Sequence, residues 1–384
     1  MSPPQTLSRR ALLSAGGSCF AGSYLLDSGV FSGTDSASGA TGWQQRWGDS
    51  TQRKFTSADP DPTDLGQSWT LTPEDAGSLT VECIGPDRIY ARGYNRLLAY
   101  RRDDGSRQWT YSADEGSFSF PSLVGNTLVV QENATVHAVA ADDGSARWTG
   151  HFATTHQPRS ATVTLDGTAY LPGGRTYLGV HPATGFHRQT FDAKTLGTLV
   201  AAGDQSLFWW ANGLLHMTDT DGETQWRRSL GRSHPPSGRG IAVTDSAVVV
   251  RHRSTDNDLV VTALDRDGGG ELWTTSDDID TGSAISAGPE LVYVGTGRQV
   301  RAIEYATGEA QWTRTIDSSS PEPVVTPSTA YIPTTDGLVA LDAATGSQRG
   351  DRLLSGRTVH SLAVADDAIY ATADDNLVAL EVGA

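Results

Sequence analysis

The sequence predicts an all-β chain folded as an eight-bladed β-propeller with docked tryptophans, closed by an N-terminal strand that completes the last blade. Three observations predict it. A pattern of a small residue, a glycine six positions on and a tryptophan four further recurs along the chain. Glycine supplies 42 of 384 residues, many more than a helical chain would carry. At this length one core stops growing, so an architecture that adds core with every unit is expected.

The pattern is complete at Ala99, Gly105 and Trp109, at Ala138, Gly144 and Trp148, at Ala263, Gly269 and Trp273, and at Ala302, Gly308 and Trp312. It weakens at Gly179, Gly185 and Gln189, and at His216, Gly222 and Trp226. A last copy has Ala340 and Gly346, with Gly350 in the tryptophan position. The seven glycines stand 39, 41, 37, 47, 39 and 38 residues apart. Alternating apolar residues before each turn, as in Leu338-Val339-Ala340-Leu341, mark a half-buried strand. Asp-Gly, Thr-Gly or Gly-Gly then supplies the positive φ of a hairpin. The tryptophan falls on the returning strand, where its ring can bridge to the next sheet. Two more strand-like runs lie upstream, such as Ser122–Val124 and Thr127–Val130, giving four strands per unit of about 40 residues.

The chain ends settle the count. An eighth unit begins at Leu377-Val378-Ala379-Leu380, and the sequence stops at Ala384 before its fourth strand. That strand is expected around Trp69, which precedes Trp109 by 40 residues. The propeller therefore spans 65–384, and ring closure removes exposed sheet edges.

Residues 1–26 read as a targeting segment. Ser8-Arg9-Arg10-Ala11-Leu12-Leu13 before a weakly apolar stretch resembles a twin-arginine export signal, the alternative being a general secretory signal. Cys19 resembles the lipidated cysteine of a lipoprotein signal, although Gly16 departs from the aliphatic residue that pattern prefers. Residues 27–64 are rich in Gly, Ser, Thr and Asp and are expected to form a flexible tether spanning roughly 35 Å. Trp43 and Trp47 are its exceptions, candidates for packing back on the domain or touching a partner. Trp43→Ala is expected to leave stability almost unchanged.

The formal charge is −16, which argues against nucleic-acid binding. Lys54 and Lys194 are the only lysines against 27 arginines, and 34 Asp outnumber 11 Glu. Such an acidic, lysine-poor composition resembles that of haloarchaeal proteins; GC-rich genomes also favour arginine. Cys19 and Cys83 are the only cysteines, so no disulfide framework or cysteine-rich metal cluster is expected.

The recurring A-x-D-x-x-x-G-x-x-x-W, fullest at Ala263–Trp273, resembles the tryptophan-docking motif of the PQQ-like, quinoprotein-type repeat. The resemblance covers 65–384. It implies one of two kinds of protein: a dehydrogenase of alcohols or sugars that binds pyrroloquinoline quinone and calcium, or a non-catalytic BamB-like lipoprotein scaffold. The docking residues Trp69, Trp109, Trp148, Trp226, Trp273, Trp312 and the glycines at 105, 144, 185, 222, 269, 308 and 346 are structural in both. The adjacent-cysteine disulfide of the quinoprotein alcohol dehydrogenases is absent here, and units near 40 residues leave few loops for a cofactor chamber. The expectation is thus an exported, monomeric, non-catalytic propeller that binds an extracytoplasmic protein or polysaccharide at the cell surface. No catalytic, cofactor or metal residue is assigned, and membrane attachment is confined to the N-terminus.

Smaller signals fit that reading. The longest interval between glycines holds Ser233–Gly240, a candidate functional loop. Trp209 and Trp210 are neighbours on one strand and are expected to fill the gaps on either side of a blade. A stacking platform for a sugar or quinone is the other reading. His151 and His156 lack a third zinc ligand. Asp256, Asp258, Asp277, Asp278 and Asp280 lack the spacing of a calcium loop. Cys83 reads as a buried small residue on an inner strand.

Overall fold

Strand runs of five to seven residues joined by left-handed glycine turns leave each unit one way to bury its apolar face: as a meander packed against its neighbours. The computed structural model describes residues 43–73, 79–114, 116–151, 162–172, 176–192, 197–231, 240–276, 279, 284–318 and 322–384. Within them the chain forms eight antiparallel sheets. Blade 1 spans 80–112, blade 2 122–151, blade 3 163–192, blade 4 198–229, blade 5 241–275, blade 6 284–315 and blade 7 324–342. Blade 8 takes three strands from 359–382 and its fourth from Leu65–Leu71, which pairs antiparallel with Asn376–Val382. The innermost strands of successive blades touch one another around the whole circle, so the ring is closed.

Blade 7 departs from the expected four strands. It has three, and two isolated bridges, Leu338 with Leu353 and Leu341 with Gln348, hold the place of the fourth. Gly350, at the position where other blades carry tryptophan, has a left-handed φ of 68°. A chain bent there cannot continue as a strand.

The gaps between blades are filled by the motif. Each indole N–H donates to a carbonyl three residues before the next blade's turn glycine: Trp69 to Arg102, Trp109 to Ala141, Trp148 to Pro182, Trp226 to Arg266, Trp273 to Tyr305 and Trp312 to Ala343. The same rings lie on Gly105, Gly144, Gly185, Gly269, Gly308 and Gly346, where an added Cβ would come 2.5–3.1 Å from ring atoms. Gly222 is covered instead by Phe191. The weak motif puts Gln189 there; Phe191 lies two residues on, on the same face of its strand. Trp209 and Trp210 are both buried and pack in separate clusters, with Tyr170 and Phe191 on one side of blade 4 and with Trp226 and Val250 on the other.

The expected tether is overturned over its described part. Trp43 is 0% and Trp47 3% exposed, and Gln45, Gln52 and Lys54 are buried as well. Residues 43–56 form a strap around the hub. Inner-strand amides donate to its carbonyls: Ile84 to Trp43, Leu123 to Gln44, Ala202 to Ser50, Val243 to Thr51, Ala287 to Arg53 and Val325 to Lys54. Blade 3 joins through its Thr162 carbonyl, which accepts from the Gln45 amide at 3.0 Å. Irregular polar backbone is stable here because the free ends of the inner strands supply its hydrogen bonds. Cys19 and residues 1–42 lie outside the described residues.

Candidate functional site at the hub

Strand direction divides the ring into two faces. The strap is bonded near the C-terminal ends of the innermost strands. In an antiparallel meander those ends share a face with the glycine hairpins between third and fourth strands. The opposite face carries the connections from one blade to the next. The strap therefore occupies the hairpin-face mouth of the hub, and its longer side chains reach toward the connection face.

Two charged groups result. Near blades 1 and 2, Glu82 on the innermost strand is fully buried, and its Oε1 accepts from Arg46 at 3.4 Å and Arg92 at 3.1 Å. Both guanidiniums lie over the Phe120 ring, 5.2 and 4.6 Å from its centroid. Phe120 in turn meets Trp47 edge-on at 4.9 Å. Thr80 Oγ1 also donates to Glu82 Oε1, whereas Oε2 is buried with no partner among the described residues. Near blades 6 and 7, Glu322 Oε1 receives Lys54 Nζ at 3.1 Å and Trp47 Nε1 at 3.1 Å. Lys54 also donates to the Ile285 carbonyl at 3.2 Å. A cavity of about 210 Å³ opens beside these groups, lined in part by Arg46, Lys54, Glu322, Thr334, His360 and Ser361. Thr334 ends a second strand and His360 begins a first strand, so the cavity belongs to the connection face.

The sequence reading reached few of these residues. Trp43 and Trp47 stand out in their polar segment, but Arg46, Glu82, Arg92 and Glu322 sit in no repeated pattern. Arg92 meets Glu82 across neighbouring strands of blade 1, ten positions apart, whereas the strap brings Arg46 to Glu82 and Lys54 to Glu322 over 36 and 268 positions. Cys83 is buried on the inner strand, where burial pushes its thiol pKa well up, and its Sγ donates to the Gln44 carbonyl of the strap at 3.1 Å. His151 is exposed at a strand end, and Asp256 and Asp258 lie on an exposed turn. Residues 233–239, His156, Asp277, Asp278 and Asp280 lie outside the described residues. Among the described residues no three His, Cys, Asp or Glu side chains gather as metal ligands.

The model of a family described as outer membrane protein assembly factor BamB matches residues 27–196 and 211–382. Among solved structures, BamB from Moraxella catarrhalis superposes with a TM-score of 0.61 at 16% identity, over 83% of this chain and 99% of that one. Quinohemoprotein alcohol dehydrogenase from Comamonas testosteroni gives 0.66 at 12% identity, over 89% of this chain and 80% of that one. The computationally designed protein Ika8 gives 0.62 at 14% identity, over 83% and 100%. At these identities the likeness is one of fold. No curated protein matches the sequence.

Proposed function

Because the chain belongs to the family of the outer membrane protein assembly factor BamB, we propose that it is a non-catalytic propeller acting by binding a protein partner outside the cytoplasm. The arginine pair at its start supports export, and Cys19 supports attachment at the cell surface through a lipid.

One observation carries this reading over the quinone-dependent alternative. The hairpin-face mouth of the hub is occupied by the chain itself, with Gln45, Trp47, Gln52 and Lys54 of the strap all buried. Their burial supports the binding reading over one with a planar tricyclic quinone held at the ring axis. What remains is a cavity of about 210 Å³ floored by the strap, beside which Lys54 is paired with Glu322 while Arg46 and Arg92 share Glu82.

The test uses purified full chain supplied with pyrroloquinoline quinone and calcium. No stoichiometric uptake and no dye reduction with alcohols or aldoses is the expected result. Tight uptake with turnover overturns the reading. Affinity capture from native membranes, with the retained protein identified and rebound in purified form, is its positive counterpart.

A further inference from the structure

We infer that the connection-face mouth of the hub is the surface this protein offers its partner, and that Arg46 and Arg92 there receive a carboxylate of an acidic peptide segment. The inference rests on the binding reading above and adds the face and the chemistry.

The two mouths are unlike. On the hairpin face, the strap is bonded to inner-strand amides of six blades, so a partner would have to break those bonds to enter. Among the described residues the connection face keeps a cavity, and Arg46 lines it.

The charges there do not balance. Arg46 and Arg92 share a single carboxylate oxygen, so the three side chains carry one positive charge in excess. Their side chains are only 13% and 19% exposed. An excess charge so far removed from water is stabilised by an anion that also brings hydrogen-bond acceptors. Arg46 bonds Glu82 through Nη1, and Arg92 bonds it through Nε and the Phe118 carbonyl through Nη1. Nη2 of each makes no hydrogen bond among the described residues. Stacking on Phe120 leaves guanidinium edges in place for a carboxylate, the geometry in which arginine surpasses lysine. Tyr94, in the turn after Arg92 and on the same face, is 75% exposed and adds apolar surface of the kind that anchors a peptide. The chain as a whole is at −16, which disfavours non-specific attraction of acidic ligands.

Calorimetric titration of the full chain with a hexaglutamate peptide tests the inference, with hexaglutamine and an oligogalacturonate of equal charge as comparators. Hexaglutamate is expected to bind at one site and hexaglutamine not at all. Arg46→Gln and Arg92→Gln should each weaken binding at least tenfold, while Arg147→Gln, on an exposed outer strand, leaves it unchanged. Should either hub variant melt early, Glu82→Gln serves instead: it removes the internal competitor and should tighten binding at least threefold. No binding by the unaltered chain, equal binding by Arg92→Gln in a folded protein, weaker binding by Glu82→Gln, or tighter binding of the uronate each overturns the inference. Native partner capture that survives Arg92→Gln also overturns the hub assignment yet leaves the binding reading standing. A dye-reducing quinone complex overturns the reading itself.

Discussion

Trp273 and Gly308 show what one blade asks of the next. The indole donates to the Tyr305 carbonyl at 2.8 Å, and a Cβ on Gly308 would sit 2.6 Å from the ring. Gly308 and Gly356 both hold a left-handed φ, of 74° and 82°, but nothing lies within 4 Å of a Cβ at Gly356. Alanine at either position pays backbone strain of about 1–2 kcal/mol. Only Gly308→Ala must also displace a ring, at about 1–3 kcal/mol more. Calorimetric melting should therefore separate the two; equal shifts would remove docking as the reason for the glycine. Trp273→Ala should cost about 3–5 kcal/mol. Trp43→Ala should now also lower the melting temperature measurably, against the sequence expectation, because its ring is 0% exposed. The tryptophan–glycine pairs were legible because a fixed spacing carries them. Phe191 was not, since a shift of two residues keeps the strand face while breaking the spacing.

At the scale of elements, strands and strap were legible to different degrees for one physical reason. A strand announces itself through alternation and turn residues next to it in sequence. The strap has neither: its partners are the free ends of strands up to 271 residues away, such as Val325 bonded to Lys54. Its Gly, Ser and Asp content therefore read as a solvated tether. The latch that holds it is Glu322, which accepts from both Lys54 and Trp47. Glu322→Ala should loosen the strap from blades 5 to 7. Hydrogen exchange at the amides of Val243, Ala287 and Val325 should then quicken at least tenfold together, while the amides of the docked outer strands stay protected. Unchanged exchange at all three would mean that the strap is held without the latch. Blade 7 fits the same logic, because Gly350 predicted a missing tryptophan but not the missing strand that its backbone bend enforces.

Over the whole molecule, stability should answer to salt and pH through charges set on different blades. With −16 spread over the chain, self-repulsion opposes folding, and raising KCl from about 0.1 to 1 M should raise the melting temperature by screening it. Acid acts through other groups. Burial holds the pKa of His137, His216 and His252 below the ordinary 6.5. Each imidazole stays neutral in the fold at a pH where the unfolded chain has already taken up a proton. Below about pH 6.5 the unfolded state thus binds more protons, and stability falls as pH drops. The turn carboxylates of Asp103, Asp143 and Asp342 are held below the usual range by hydrogen bonds from Arg101, Ser145 and Thr345. Their contribution is full above the ordinary carboxylate pKa and is lost only at lower pH, in a second and separate step. In molar KCl, where self-repulsion is screened, a decline in melting temperature between pH 7.5 and 5 should therefore report the histidines. His137 links two blades, its ring bonded to Tyr111 of blade 1 at 2.8 Å and facing Glu132 at 3.2 Å. Its replacement by glutamine, which cannot take a proton, should make that decline shallower. A slope as steep as in the unaltered chain would assign the acid sensitivity to other groups.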